Sequence, residues 1–389
     1  MLMVADGGDK RREHRRPPLR VLHGPVNVGN QPWHLSRAER VLQNESDLVV
    51  NYGTWLQYPA DRTLAPYGAK KWGDRLRRAA FALYAPFRYD VIHYYFGRTF
   101  MLWDDRGMSF GVFNLLRLAD LHIARLLGRK TFMTLQGCDI RLARESNRIN
   151  KVTPCGEGRC PVFSTCVTTY DAARQRMRSA VLPLVDRVFY LNPELGRYVP
   201  NGEFLPYASV DVASETVTLP EPGRRLRILH APSHGDIKGT PRILAALEAL
   251  KSRYDFELVL VQNVPHAEAK ERYRTADLAI DQLYAGWYGG FAVEVMAMGK
   301  PVVAYIREED REFVPKAMWD AMPIMRIAAD TIEEDLARIL DQRSDWPAIG
   351  RISRQYVLDW HDPLMVATAL DRIYRDPSAP LVLGPAPRS

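Results

Sequence analysis

What this sequence does not contain narrows it before anything it does contain. No apolar run approaches the roughly 18 residues that a membrane-spanning helix needs. The opening MLMVADGGDKRREHRR has no apolar core of the usual ~7–15 residues for a secretory signal, so the expected location is cytoplasmic. Gly29 is followed by Asn30 rather than by Lys and Ser/Thr, which excludes a P-loop there. A GxGxxG turn is missing as well, so a dinucleotide site is not indicated. No internal repeat of solenoid period is present. Cysteine is scarce, with four in 389 residues, and none is spaced C-x2-C from the next.

What remains is a chain too long for one ordinary domain, and its 47% hydrophobic and 10% aromatic content suits two buried cores. A formal net charge of +7 favours anionic partners such as sugar nucleotides or lipid headgroups. Nucleic acid is not expected, because the basic residues form no recognisable reader motif.

Residues 1–17 are polar and basic and cannot bury enough surface to offset ordering entropy, so a solvated tail is expected. LRVLHG (Leu19 to Gly24), DLVVN (Asp47 to Asn51) and DVIHYY (Asp90 to Tyr95) read as strands, with a helix beginning near His34. Between the last two strands, AKKWGDRLRRAAFALYAPF (Ala69 to Phe87) sets Lys70, Lys71, Arg75, Arg77 and Arg78 beside Trp72, Leu76, Phe81, Leu83 and Tyr84. Such a segment suits either a membrane surface or a packed amphipathic helix with a solvated basic face. FNLLRLADLHIARLLG has helical spacing and ends at Gly128, and KTFMTLQG follows as a strand.

The four cysteines are Cys138, Cys155, Cys160 and Cys166, with gaps of 16, 4 and 5 residues. Four thiolates complete a tetrahedral zinc site, and Gly156, Gly158 and Pro161 give the loop sharp turns. Free buried thiols and disulfides are the alternatives, bridges being rare in a cytosolic chain. Nothing marks one of the four as a paired nucleophile.

RLRILHAPS (Arg225 to Ser233) restarts the strand pattern after the Pro-rich linker SETVTLPEPGRR. FELVLVQNVP (Phe256 to Pro265) is a further strand with its exit loop, where Gln262 is placed to meet a base edge. The most informative stretch is ADLAIDQLYAGWYGGFAVEVMAMGKPVVAYI (Ala276 to Ile306). LAIDQL and PVVAYI read as buried strands, and FAVEVMAMG between them as a helix closed by Gly299. Gly286, Gly289 and Gly290 let backbone N–H groups approach a ligand directly before a helix whose N-terminus favours anions. A phosphate-bearing ligand is the natural expectation.

This stretch resembles the GT-B glycosyltransferases of the retaining type called family 4. Their pattern of Ala-Asp, strand, Pro-Ser, Glu-Gly-Phe-Gly, a second Glu and Gly-x-Pro-Val-Val aligns without a gap on Ala276-Asp277, Asp281-Gln282, Gly286-Trp287-Tyr288-Gly289, Glu294 and Gly299-Lys300-Pro301-Val302-Val303. The family's first glutamate, which touches the donor sugar, is Gly286 here; the second, which binds the nucleotide ribose, is Glu294. The resemblance implies that Lys238-Gly239 binds the donor diphosphate, although the Arg usual five residues before the Lys is Ser233. It implies a distal-phosphate contact by the N–H groups of Gly289, Gly290, Phe291 and Ala292. Gln136 takes the place of the family's His before Gly137 and cannot titrate, so it is a sugar contact rather than a base. Asp281 is a candidate substitute for the missing sugar contact, or a strand-end cap. The first loop faces the cleft in the family, which makes Asn27, Gly29, Asn30 and Gln31 acceptor-side candidates, unless the loop is an ordinary turn. Asp139 and Arg141 join them at the strand-end rim, either as sugar or phosphate contacts or as a local ion pair.

The fold class so implied is α/β of GT-B type, two doubly wound Rossmann-like domains facing an interdomain cleft. The expected division is a tail to residue 17, an acceptor-side domain over 18–212, a nucleotide-sugar domain over 213–362, a helix over 363–376 crossing back, and a tail over 377–389. The expected activity is transfer from a nucleotide-sugar donor, a UDP-sugar, to a glycan, lipid-linked or small-molecule acceptor, with no cofactor for catalysis and retention at the anomeric carbon. Peripheral contact with an anionic membrane is the further partner considered. A non-catalytic sugar-nucleotide-binding protein and a GT-B-type epimerase are the rival readings.

Overall fold

A computed structural model of the chain describes residues 17–53, 57–68, 71–101, 116–221 and 223–385. The expected N-terminal tail, apart from Pro17, and Lys70 of the basic segment lie outside the described residues.

Two parallel sheets organise the chain. The first runs β3-β2-β1-β4-β5-β6-β7, with β1 Arg20–Gly24, β2 Glu45–Val50, β3 Arg62–Thr63, β4 Val91–Tyr95, β5 Lys130–Leu135, β6 Arg187–Tyr190 and β7 Glu203–Phe204. The second runs β12-β11-β10-β8-β9, with β8 Leu226–His230, β9 Phe256–Leu260, β10 Leu278–Ile280, β11 Val302–Ala304 and β12 Met325–Arg326. All named pairings are parallel, as crossover helices on both faces require. Each order reverses at its central strands, β1/β4 and β8/β10, and the strand ends at such switch points are where doubly wound sheets hold ligands.

The first helix spans Gln31–Val41, three residues earlier than His34, because Asn30 at φ 60° ends the loop and Pro32 suits a first helical turn. The last helix, Pro363–Arg375, packs on the first sheet rather than the second: Val366, Leu370 and Ile373 share a core cluster with Val21, Val91 and Phe132. Tyr374 fixes its angle. Its hydroxyl lies 2.6 Å from Nδ1 of the fully buried His93, whose Nε2 is 2.7 Å from Thr134 Oγ1. Among the described residues no helix is long and apolar enough to cross a membrane.

Candidate functional site

The second sheet gathers Lys238, Asp281 and the start of a helix at the ends of β8 and β10. Gly239 takes φ 79° between the short helix Gly235–Lys238 and the helix Thr240–Leu250. A Cβ there would meet Leu283 Cβ at 2.8 Å, so only glycine lets this turn approach the β10 exit loop. The approach brings Lys238 Nζ to 2.5 Å from Asp281 Oδ1. Asp281 is fully buried and its other oxygen accepts from the Gly289 N–H at 2.6 Å. Asp281 therefore ties Lys238 to the start of the helix Gly290–Ala297 and leaves the Gly289 amide occupied. The amides of Gly290, Phe291 and Ala292 belong to the first turn, where no carbonyl of the helix can accept from them. The buried Ser209 hydroxyl, which has no hydrogen-bond partner among the described residues, lies 3.4 Å from where a Cβ on Gly290 would be.

Glu294, on the same helix, is buried and held by His266 at the start of the helix His266–Arg274. The His266 Nε2–H lies 2.9 and 3.0 Å from the two carboxylate oxygens, so one donor straddles both. Burial lowers the His266 pKa, but the hydrogen bond to Glu294 and its charge outweigh this, and the net direction is upward. Tyr58 from the first half meets the His266 ring edge-on at 5.4 Å. His34, on the first helix, is close enough to feel the charges of His266, Lys270 and Asp211, and burial pushes its pKa down to about 4. Gln262 is exposed, with its Nε2 3.8 Å from the Cβ position of Gly235.

On the first sheet, Gln136 follows β5 and is half-buried. Its Nε2 donates to Val28 O at 3.2 Å and its carbonyl accepts from Asn192. Asp139 folds back to accept from the Gln136 and Gly137 amides at 2.9 and 2.6 Å, so its carboxylate closes the strand-end turn. Arg141 is buried and donates through Nε to Glu194 Oε1 at 2.6 Å. Its ion pair is thus with Glu194 rather than with Asp139. Asn27 donates to Pro59 O at 3.0 Å, Asn30 contacts His34 at 3.0 Å, and the fully buried Gln31 accepts from Ala208 N at 3.2 Å. Gly29, at φ 64°, has open space where a side chain would start. These loop residues shape the wall of the first half, and Gln31 ties it to the segment leading into the second.

Sequence reasoning missed two residues near the junction of the halves, Tyr207 and Arg307, and Arg307 bonds across it. Tyr207, which is half-buried, donates to Asn192 Oδ1 at 3.2 Å, and its hydroxyl feels the charges of Asp281 from the second half and of Arg141 and Asp139 from the first. Arg307, just beyond β11, reaches Glu194 Oε2 at 3.2 Å, Asp310 Oδ2 at 2.9 Å and Val152 O at 2.6 Å. Arg307 also explains Gly286. At φ 77°, a Cβ on residue 286 would sit 2.8 Å from the Arg307 guanidinium carbon, so the space a side chain here would take is filled by an arginine. Trp287 and Tyr288 beside it are buried, with stacked rings 4.5 Å apart, and belong to the core. Only the Arg directly after PVVAYI could have drawn attention to this clasp.

The cysteines are all free. Cys155 and Cys166 pack with Ala143 in a small buried cluster, whereas Cys138 is exposed beside Arg141. Burial pushes the Cys155 thiol up to about 11. Among the described residues no three His, Cys, Asp or Glu side chains are gathered to hold a metal ion. A surface hollow of about 530 Å³ lies elsewhere, between Arg187, Glu203 and Pro377, and its Arg187 is already paired with Glu203.

Two Rossmann-like sheets with their ligand-binding ends on one cleft constitute the GT-B fold. No family profile matches the chain, and no curated protein matches it in sequence. Among solved structures, a sucrose-phosphate synthase from Thermosynechococcus elongatus is similar at 15% identity and a TM-score of 0.57, over 92% of this chain and 98% of that one. A glycosyltransferase from Rickettsia africae is similar at 14% identity and a TM-score of 0.56, over 93% and 99%. At these identities the likeness is one of fold.

Proposed function

We propose that this chain is a glycosyltransferase that takes a sugar from a nucleotide-sugar donor, a UDP-sugar, and passes it to an acceptor on the first-sheet side of the cleft. The division expected above, with 18–212 holding the acceptor and 213–362 the donor, belongs to this reading. The observation that carries it is the meeting of Lys238, the Gly290–Ala292 amides and the orphaned Ser209 hydroxyl at one point, one helical turn from the buried Glu294. A diphosphate suits the first three and a ribose diol the fourth. As the anomeric carbon–oxygen bond breaks, negative charge grows on the departing phosphate, where an ammonium and fixed amide dipoles stabilise it without a metal. The acceptor hydroxyl oxygen then bonds the anomeric carbon as its proton passes to the departing phosphate oxygen, with retention as the family resemblance implies. Asp281 holds Lys238 and Gly289 in place and is a positioning residue.

A thermal-shift screen against UDP-, GDP-, ADP- and dTDP-sugars tests the reading. Ligand at about 100 times Kd stabilises by ~2.7 kcal/mol, so a shift with one nucleotide class is expected and silence with all would refute it. Binding with no transfer to any acceptor would leave a sugar-nucleotide-binding protein.

Glu294→Ala should weaken donor affinity about ten- to a hundredfold, because a charged hydrogen bond is worth roughly 1.5–3 kcal/mol. Calorimetric titration with the nucleotide reads this directly, and unchanged affinity removes Glu294 from the ribose site. A pH effect accompanies it. His266 spans both carboxylate oxygens, which is where two ribose hydroxyls would bind, so the donor must displace it. With its pKa raised, the imidazolium pair is intact at acid pH and is lost as pH climbs through that raised value. Donor affinity should therefore rise with pH by about tenfold, the size of one charge-assisted hydrogen bond of ~1.5 kcal/mol. In His266→Asn the profile should be flat; an equal slope in that variant rejects the competition.

A further inference from the structure

The helix Trp72–Arg88 shows solvent an unusual face. Its inner side packs normally: Phe81, Ala82 and Ala85 lie in the main core, with Phe81 edge-on to Phe100 at 5.2 Å. Its outer side is apolar. Trp72, Leu76, Tyr84 and Phe87 are 62%, 51%, 54% and 60% exposed. At 3.6 residues per turn, these four and the exposed Ala80 fall in one sector of about 120°. Leu126, at the end of the helix Ala119–Leu126 packed alongside, is 86% exposed. Scattered exposed apolar side chains need no explanation, but a continuous stripe of large ones marks a surface that is covered in use.

The margins say by what. Arg77 and Arg88 lie along one margin of the stripe, and the exposed Lys71 directly precedes the helix. Arg77 and Arg88 make surface pairs with Asp74 and Glu45 yet keep 54% and 37% of their side chains exposed. A second copy on this face would set arginines against arginines. An anionic bilayer surface offers the opposite sign at the rim and acyl chains at the centre. Trp and Tyr are suited to that boundary, and arginine stems lie along apolar surface while their heads reach the phosphates.

We propose that this face docks the protein peripherally on anionic lipid. Its test requires neither donor nor acceptor, so it stands apart from the transferase reading. The full chain is floated with vesicles of phosphatidylglycerol and phosphatidylcholine, and with phosphatidylcholine alone, at low and high salt. Binding to the anionic vesicles, weakened by salt and reduced at least tenfold in the double variant Leu76→Ser/Phe87→Ser, is the expected result. Both side chains are exposed, so the variant should keep the parent's melting temperature. Arg77→Glu should also lose binding, with the apolar stripe intact. No binding to anionic vesicles, or binding that neither variant reduces, overturns the proposal. A dimer in solution that Leu76→Ser/Phe87→Ser dissociates would overturn it too, giving the face to a second copy.

Discussion

Glu194→Ala is expected to cost about 3–5 kcal/mol of stability, the usual penalty for removing one partner of a buried ion pair. The carboxylate is 1% exposed and holds two guanidinium groups, Arg141 from the first half and Arg307 from the second, themselves 7% and 4% exposed. Truncation leaves both cations in an apolar setting with too few acceptors. Asp310 keeps Arg307 and also takes Arg197 at 2.5 Å, but nothing else of opposite charge is bonded to Arg141 among the described residues. Urea unfolding should show a lower midpoint at a similar slope. Glu194→Gln, which keeps the shape and an acceptor oxygen, should lose less. A cost under about 1 kcal/mol would put the pair in the range of exposed salt bridges and dissolve the clasp as a structural element.

That clasp also decides what could be read in the sequence. The strands were legible wherever apolar residues run unbroken, as in LRVLHG, DVIHYY, RLRILHAPS and PVVAYI, because a doubly covered parallel sheet demands such runs. The edge strands Arg62–Thr63, Glu203–Phe204 and Met325–Arg326 have two residues each, and no periodicity survives at that length. Lys238, Asp281 and Gly289 could be named from motif and glycine pattern. Their mutual contact could not, since it follows from β8 pairing with β10, a neighbour relation that the chain order does not state. Asp139 and Arg141 read in the sequence either as sugar or phosphate contacts at the rim or as a local ion pair. In the fold one closes a turn and the other meets Glu194, 53 positions away. His266 drew no notice as a lone histidine, and only the fold brings it against both oxygens of Glu294. The segment from Ala69 to Phe87 was open between a membrane surface and a packed helix, and the composition suited both. Which face turns outward is set by packing, and packing left the apolar stripe outside.

Lys238→Ala should lower turnover by about 10²–10³, as removal of one preorganised donor to a developing oxyanion does elsewhere, and should weaken donor affinity as well. The reasoning is electrostatic. An ammonium beside two phosphates gains most where charge increases, on the departing oxygen, and less in the ground state where that charge is already shared. Asp281 complicates the substitution, because it is fully buried and 2.5 Å from Lys238 Nζ. Truncating the lysine leaves that carboxylate with the Gly289 amide and an uncompensated charge beside the anion site, so part of the loss would be repulsion of the donor. A double-mutant cycle separates the two. If Lys238 acts on the leaving group, Lys238→Ala/Asp281→Asn should recover donor affinity but not turnover. If its only task is to neutralise Asp281, the double variant should recover both. Single-turnover measurement at saturating donor distinguishes these outcomes, since it reads the chemical step without product release. The conservative Lys238→Arg keeps the charge but needs more room at a turn where Gly239 already lies against Leu283, so it should be a partial substitute at best.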